Sequence, residues 1–290
     1  MTRWRDLRAE AIAAVGAPDA RRIVEEASGY GPAEWPDVAD LEAPARAEAR
    51  FRSMVERRVR GEPLQYVLGS WSFRGLDLMV DARVLIPRPE TEWVVEVALE
   101  EAMRLGLRRG RARRAGATVA ARAADLGTGS GAIALALAAE LPDVEVWATD
   151  VSEAALAVAR ANVAGCGEAR IRLAGGSWFD ALPGELRGSL HLVVSNPPYV
   201  AAHELDDLPA EVAGYEPRRA LVAGPTGLEA LSELVSQASA WLRSPGVLVC
   251  EIAPHQREAV VELATSAGFA DVDVRPDLTG RARVLVARHG

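Results

Sequence analysis

Beyond residue 118, short apolar segments alternate with helical ones, and this alternation limits the fold more than any other feature of the chain. Predicted strands cover residues 119–126, 144–150, 170–174, 190–195 and 246–252. Predicted helices between them include residues 131–140, 152–164 and 227–242. Such alternation predicts an α/β fold with a mainly parallel, doubly wound sheet. Two further predicted strands, 270–275 and 283–288, are joined by a short turn and form an antiparallel pair at the end of the chain.

The first part of the chain has a different pattern. Residues 1 to about 62 show apolar residues at helical spacing, interrupted by glycine and proline. Residues 71–85 have the shorter strands of a β-hairpin, and a helix is expected after Pro89. The length of 290 residues allows about two domains. We therefore predict a helical domain over 1–69, a β-hairpin linker over 70–85 and an α/β domain over 86–290.

Composition excludes some classes of function. The net charge of −8 argues against a general nucleic-acid-binding protein, which is usually basic. Arginines are dense over residues 104–114, where we expect a surface loop or an extended helix end. The two cysteines, Cys166 and Cys250, lack metal-site spacing and are expected to be free, buried thiols. No signal peptide or apolar run of membrane-spanning length is seen, so we expect a cytoplasmic protein.

A glycine-rich loop follows the first strand of the α/β region. It begins at Asp125 and contains Gly127, Thr128, Gly129, Ser130 and Gly131. Glycines let the chain turn tightly and let a ligand approach the backbone at a helix N-terminus. The flanking strand and helix are the context that a nucleoside-binding loop requires.

An acidic residue, Asp150, ends the next strand 23 positions after Gly127. A carboxylate at this place can accept hydrogen bonds from both hydroxyls of a ribose. The alternative is that Asp150 caps the following helix, although Ser152 is also placed to do so. The occurrence of loop and acid together favours the ribose role.

The loop spacing distinguishes between two nucleoside cofactors. A dinucleotide fingerprint places its third glycine three residues after the second, whereas Gly131 follows Gly129 by two. The acidic start of the loop suits the cationic sulfonium and amino group of S-adenosyl-L-methionine, which has no pyrophosphate. The pattern therefore predicts a methyltransferase without a metal. Trp178, after the third strand, is placed to contact the adenine, although a tryptophan there is equally expected in the core.

The fourth strand stops abruptly at Asn196-Pro197-Pro198-Tyr199. Ligands of open α/β sheets bind at this edge, and the two prolines stiffen the turn. The Asn196 amide can donate and accept hydrogen bonds, which suits an amide or amino group as ligand. Taken alone, the same residues are also compatible with a rigid turn that carries a packing tyrosine.

Nearly the whole chain resembles the release-factor glutamine N5-methyltransferases, a family with the class I, Rossmann-like methyltransferase fold. The resemblance is most specific in residues 62–69, 84–92, 125–131, 196–199, 216–221 and 277–281. Two departures are the long arginine-rich segment around 108–114 and Ala253, where the family commonly has glycine. The segment from Pro87 to Glu92 separates this family from sister enzymes that act on a ribosomal-protein glutamine.

The resemblance implies methyl transfer to the glutamine of the Gly-Gly-Gln motif in peptide-chain release factors, with S-adenosyl-L-homocysteine as product. It assigns cofactor contacts to residues 127–131, Asp150, Trp178 and Asn196, and substrate contacts to residues 196–199. Asn196, Pro197 and Tyr199 are the expected catalytic residues. The helical domain is expected to contact the protein substrate. We expect a monomer that binds no nucleic acid and no membrane.

Two other functions stay open on the residues alone. An adenine-N6 nucleic-acid methyltransferase uses the same Asn-Pro-Pro-Tyr logic on an exocyclic amino group, but usually carries a basic recognition domain. A binding module without activity is the other alternative, and the intact loop with Asp150 and Asn196 argues against it.

Overall fold

The structure is a computed structural model that describes residues 2–107, 109–110 and 121–290. The helices are α1 (Trp4–Val15), α2 (Ala17–Ser28), α3 (Trp35–Val38), α4 (Ala45–Val59), α5 (Leu64–Leu68), α6 (Pro89–Arg104), α7 (Ala132–Glu140), α8 (Glu153–Gly165), α9 (Ala210–Tyr215), α10 (Arg218–Leu221), α11 (Glu229–Trp241) and α12 (Arg257–Ser266). The strands are β1 (Ser70–Phe73), β2 (Leu76–Met79), β3 (Ala121–Leu126), β4 (Val144–Asp150), β5 (Ile171–Gly175), β6 (Leu190–Ser195), β7 (Val200–Ala201), β8 (Val222–Gly224), β9 (Leu242–Glu251), β10 (Asp271–Pro276) and β11 (Ala282–His289). Of the arginine-rich segment, Arg108 and residues 111–114 lie outside the described residues.

The first of two compact units is helical and comprises Met1–Trp71 together with Pro209–Tyr215. Its core is an apolar cluster on the inner faces of α1, α2 and α4, in which the Trp4 and Phe51 rings meet edge to face at 6.3 Å. Arg58 of α4 pairs with Asp19 at 2.6 Å and with Glu211 of α9 at 3.2 Å. The pair with Glu211 connects the two parts of the unit.

The second unit comprises Ser72–Leu208 and Glu216–Gly290 and contains a seven-stranded sheet. The strand order is β10-β11-β9-β6-β3-β4-β5, in which β11 is antiparallel to β10 and β9 and the other pairings are parallel. The predicted doubly wound sheet with an antiparallel final pair is confirmed. Several boundaries differ by one or two residues, and the largest difference is at β9, which begins at Leu242 and not at Gly246. Leu242 pairs with Leu190, a long-range contact that the local sequence around Pro245 does not indicate.

Apolar side chains cover both faces of this sheet. Val95 and Leu137 lie in the cluster on the side of α6 and α7, and Leu231 and Val260 lie in the cluster on the side of α11 and α12. Burial on both faces explains why the central strands are continuous apolar runs. Because β3 and β6 are parallel, they end at the same edge of the sheet. There the Ser195 hydroxyl donates a 2.6 Å hydrogen bond to the Leu126 carbonyl.

The two cysteines have different environments. Both are free thiols, and Cys250 is buried in the sheet as expected. Cys166 is exposed, so the prediction of two buried thiols is wrong for this residue. It follows the last turn of α8, where its N–H donates to the Asn162 carbonyl and its side chain lies outside the core.

No helix in the described ranges combines the length and the apolar character that crossing a bilayer requires.

Candidate active site

A cavity lies at the carboxyl edge of the sheet in the second unit. Six segments line most of it: residues 83–87, 127–133, 150–155, 176–178, 196–198 and 217–220. Strands β3 and β6 are neighbours in the sheet but distant in sequence, and the strand order reverses between them. This is the position at which open α/β sheets bind ligands.

The glycine-rich loop between β3 and α7 forms one wall of the cavity. The N–H groups of Gly127 and Thr128 both donate to the Thr149 carbonyl, at 2.9 and 2.8 Å. Gly127 has φ of +75°, and a Cβ there would lie 3.1 Å from the Trp178 ring. The position therefore needs glycine for its backbone and for its space. Gly131 does not line the cavity and is the N-cap residue of α7.

Asp125 lies beneath this loop and not on the cavity wall. Its Oδ2 accepts hydrogen bonds from the Thr128 hydroxyl at 2.5 Å and from the Ala134 N–H at 3.0 Å. Among the described residues, none donates to its buried Oδ1. Burial raises the pKa of Asp125 to about 7. The Asp125 side chain therefore supports the loop from beneath, and its suitability for a cationic cofactor stays a prediction.

Asp150 is fixed by two backbone donors. Its Oδ2 accepts from the Gly129 N–H at 2.9 Å and its Oδ1 from the Ser152 N–H at 2.8 Å. Ser152 is the N-cap of α8, since its hydroxyl accepts from the Ala155 N–H at 3.3 Å. Burial raises the pKa of Asp150. Each carboxylate oxygen still has a free lone pair, so Asp150 can accept two further hydrogen bonds from hydroxyl groups in the cavity.

Trp178 closes the cavity beside the loop. Its ring packs against Gly127, its indole N–H donates to Glu233 at 3.1 Å, and its carbonyl accepts from the Thr149 hydroxyl at 3.3 Å. Its φ of +42° is unusual for a residue with a side chain. Such backbone strain costs about 1–3 kcal/mol and persists only where the surroundings enforce it. Trp178 therefore offers a fixed flat surface to a planar ligand.

The turn after β6 forms the opposite wall, to which Asn196 and Pro198 contribute. The Asn196 Nδ2 donates to the Thr91 hydroxyl at 3.1 Å, and that hydroxyl donates to Glu251 Oε2 at 2.7 Å. Asn196 Oδ1 accepts no hydrogen bond from the residues that the structure describes. Pro197 is buried, and neither Pro197 nor Tyr199 lines the cavity.

Tyr199 is bonded at its hydroxyl and at its carbonyl. The hydroxyl donates to Glu251 Oε1 at 3.2 Å, and burial together with the Glu251 charge raises the pKa of Tyr199. The Gln256 side chain donates to the Tyr199 carbonyl at 3.0 Å and to the Gly227 carbonyl at 2.9 Å. A Cβ on Gly227 would lie 2.7 Å from that Tyr199 carbonyl, so only glycine allows this approach.

Sequence reasoning did not identify Thr91, Glu251 or Gln256 as residues of the site. Thr91 lies in the family-specific segment 84–92, but nothing local relates Thr91 or Glu251 to Asn196. Glu216 is a further case: its buried carboxylate pairs with Arg88 and accepts from the Ile86 N–H at 3.4 Å. These bonds connect the segments around residues 85 and 217, both of which line the cavity.

The donors and acceptors of the cavity suit an organic ligand. Within the described ranges, no group of three or more His, Cys, Asp or Glu side chains is placed to hold a metal ion. The cavity instead combines a carboxylate with spare acceptor capacity, a glycine loop, a fixed indole ring and a free amide oxygen. A nucleoside fits such a set, and the amide oxygen, to which no described residue donates, suits a second ligand with N–H donors.

Two family models match the chain. Residues 9–69 match the PrmC N-terminal domain, and residues 114–212 match the methyltransferase small domain. The glycine loop, Asp150 and the Asn196 turn all fall in the second match.

Curated relatives cover most of the chain. A release factor glutamine methyltransferase of Cereibacter sphaeroides is 40% identical over 94% of this chain and 91% of its own length. One of Deinococcus radiodurans is 38% identical over 98% of both chains, and one of Moorella thermoacetica is 43% identical over 84% of this chain and 81% of its own length.

Solved structures share the fold at low identity. A methyltransferase of Pyrococcus furiosus has a TM-score of 0.52 and 18% identity, covering 85% of this chain and 100% of its own. The hMettl16 catalytic domain, solved with an RNA hairpin, has a TM-score of 0.55 and 17% identity over 91% of both chains. These likenesses support the predicted class I methyltransferase fold.

Proposed function

The chain belongs to the family of release factor glutamine methyltransferases, and we propose that it methylates the side-chain amide N5 of the glutamine in a release factor's Gly-Gly-Gln motif. The methyl donor in this proposal is S-adenosyl-L-methionine. The observation that carries the proposal is the pairing of two walls in one cavity. One wall has the features of a nucleoside site, and the other presents the Asn196 amide oxygen, to which no described residue donates a hydrogen bond.

The cofactor would be held by the loop wall. Asp150 has acceptor capacity for the two ribose hydroxyls, because its backbone partners occupy only one lone pair on each oxygen. The Trp178 ring provides a flat surface for the adenine, and residues 127–130 let the ligand lie close to the backbone. When bound, S-adenosyl-L-methionine supplies a methyl group on a positively charged sulfur.

The glutamine amide would be held by the opposite wall. An amide nitrogen is a poor nucleophile because its lone pair is delocalised into the carbonyl group. We assign the Asn196 Oδ1 and the Pro197 carbonyl as acceptors of its two hydrogens. These bonds orient the nitrogen and stabilise positive charge that develops on it. Tyr199 is assigned to packing against the flat amide, and water can take the proton that is released.

The helical unit is proposed to bind the protein substrate. This assignment follows from the match of residues 9–69 to the PrmC N-terminal domain and from the family to which the chain belongs.

Mass spectrometry of a release factor incubated with enzyme and S-adenosyl-L-methionine tests this function. We expect the mass of one added methylene on the peptide that contains Gly-Gly-Gln, located at the glutamine by fragmentation. A release factor with glutamate in place of that glutamine should stay unmodified. Purified Asn196→Ala should lose at least about 100-fold in kcat, equal to about 2.7 kcal/mol. Transfer at the parental rate by this variant, or methylation at another residue, would contradict the proposal.

A further inference from the structure

The Asn196 amide can act as proposed only if its oxygen, and not its nitrogen, is presented to the acceptor. An asparagine amide has nearly the same shape in both orientations, but one end donates hydrogen bonds and the other accepts them. With the nitrogen presented, two N–H groups would meet the N–H groups of the glutamine. Something in the protein must therefore select one orientation.

We propose that Thr91 and Glu251 are positioning residues that hold the Asn196 amide with its oxygen towards the methyl acceptor. This inference rests on the proposed function, since it names the groups that prepare the same site. The geometry behind it is a continuous chain of hydrogen bonds, from Asn196 Nδ2 to Thr91 Oγ1 at 3.1 Å and from Thr91 Oγ1 to Glu251 Oε2 at 2.7 Å.

The number of protons in this series of hydrogen bonds fixes which group donates in each bond. The Thr91 hydroxyl has a single proton, which it donates to Glu251 Oε2. The Thr91 oxygen can then only accept, and the amide group that can donate to it is the Asn196 NH₂. A reversed amide would place its oxygen against the lone pairs of the Thr91 hydroxyl.

Glu251 is suited to this role by its surroundings. It is 1% exposed and accepts a second hydroxyl proton, from Tyr199 at 3.2 Å. Burial raises the pKa of Glu251, and the Thr91 hydroxyl, the charge of Arg283 and the Tyr199 hydroxyl act against that rise. A charged group buried this deeply is costly unless hydrogen bonds satisfy it. Glu251 ends β9 beside the Asn196 turn, where it can receive the Thr91 hydroxyl proton and so fix the direction of that hydrogen bond.

A second role follows for the same carboxylate. Because Glu251 binds both Thr91 and Tyr199, it joins the side chain at the start of the Asn-Pro-Pro-Tyr turn to the side chain at its end. Removal of the Thr91 hydroxyl alone leaves the Tyr199 bond in place. Thr91 variants therefore separate amide orientation from the general packing of the turn.

The amide can be observed directly, because the chain contains only two asparagines, Asn162 and Asn196. Selective ¹⁵N-asparagine labelling gives two side-chain NH₂ signals in the full-length protein, and Asn196→Asp identifies which signal belongs to Asn196. Asn162 is an internal reference, since its Nδ2 donates to the Met79 carbonyl at 3.0 Å and the Ser130 carbonyl at 2.8 Å.

Thr91→Val keeps the shape of the side chain and removes its hydroxyl. We expect the Asn196 signal to shift or broaden while the Asn162 signal stays. We also expect kcat to fall at least tenfold, with the affinity for S-adenosyl-L-homocysteine unchanged within about twofold. Thr91→Ser restores the hydroxyl and should recover both the signal and most of the rate. Glu251→Gln, which preserves volume, should disturb the Asn196 signal as well, and it replaces Thr91→Val if that variant does not fold.

Thr265→Val is the matched control, because it removes an exposed hydroxyl that donates to the Val261 carbonyl at 2.8 Å outside the site. An unchanged Asn196 signal in both Thr91→Val and Glu251→Gln overturns the inference. Equal damage by Thr91→Ser and Thr91→Val does so too, since it indicates packing and not proton direction. The NMR result is independent of the proposed function, which fails on its own if the parental enzyme does not methylate a release factor.

Discussion

The two walls of the cavity are held in different ways. Around Gly127, the supporting bonds join residues close in the chain: the loop N–H groups donate to Thr149, and Gly129 donates to Asp150, which is 21 positions away. Around Asn196, the supporting bonds come from Thr91, Glu251 and Gln256, at separations of 52 to 105 residues.

The loop is therefore a local motif, whereas the turn after β6 is supported by residues from distant parts of the chain. The loop backbone from Gly127 to Gly129 is held by the strand beside it, so its shape needs little besides the sheet. The turn wall depends on α6, β9 and the start of α12 all packing correctly. Substitutions in the loop wall should therefore change cofactor affinity, and substitutions behind the turn wall should change the rate of transfer.

The largest effect on the loop wall is expected for Asp150→Ala. Loss of the carboxylate removes the proposed ribose acceptors and the support of Gly129. The affinity for S-adenosyl-L-homocysteine should fall more than tenfold, or about 1.4 kcal/mol, as measured by titration calorimetry. Asp180→Ala, which alters an exposed aspartate on a neighbouring 3₁₀ turn, should bind as the parental protein does. Unchanged affinity in Asp150→Ala would remove this residue from the site.

A smaller effect, on the rate of transfer and not on cofactor affinity, is expected for Gln256→Met. The apolar side chain has a similar volume but leaves the carbonyls of Tyr199 and Gly227 without their donor. We expect about a fivefold lower kcat, a cofactor affinity within twofold, and a free energy of unfolding lower by about 1–3 kcal/mol. Gln237→Met, on α11, is the control. A loss of cofactor affinity as large as the loss of rate would show that the two walls are not independent.

The last effect leaves both walls intact and concerns the pH dependence of stability, which Asp125 controls. Burial raises the pKa of Asp125 in the folded protein to about 7, from 3.8 for a solvated aspartate. The folded state therefore binds the proton more tightly, and the stability from this group is fully present below pH 4 and lost as the pH rises through 7. Relative to Asp125→Asn, the parental protein should lose up to a few kcal/mol between pH 4 and pH 8. Urea unfolding at several pH values measures this, and equal slopes for the two proteins would contradict it.

The sequence indicated residues 127–130, Asp150, Trp178 and Asn196, which line the cavity, but not the direction of the side chains. Asp125 opens the glycine-rich loop, and its charge suggested contact with a cationic ligand, yet its oxygen is used by Thr128 and Ala134. Trp178 was equally compatible with core and cofactor site. The structure places its ring against Gly127 at the cavity wall, through a backbone conformation that no propensity indicates.

The sequence by itself determined the doubly wound sheet, the glycine loop, the place of Asp150 and the Asn196 turn. Strand periodicity, glycine and proline act on the backbone within a few residues, and parallel strands bring their ends to one edge. Only the tertiary structure decided that Thr91, Glu251 and Gln256 support the Asn196 turn. These contacts form between side chains from separate elements, and their partners depend on packing that no local pattern encodes.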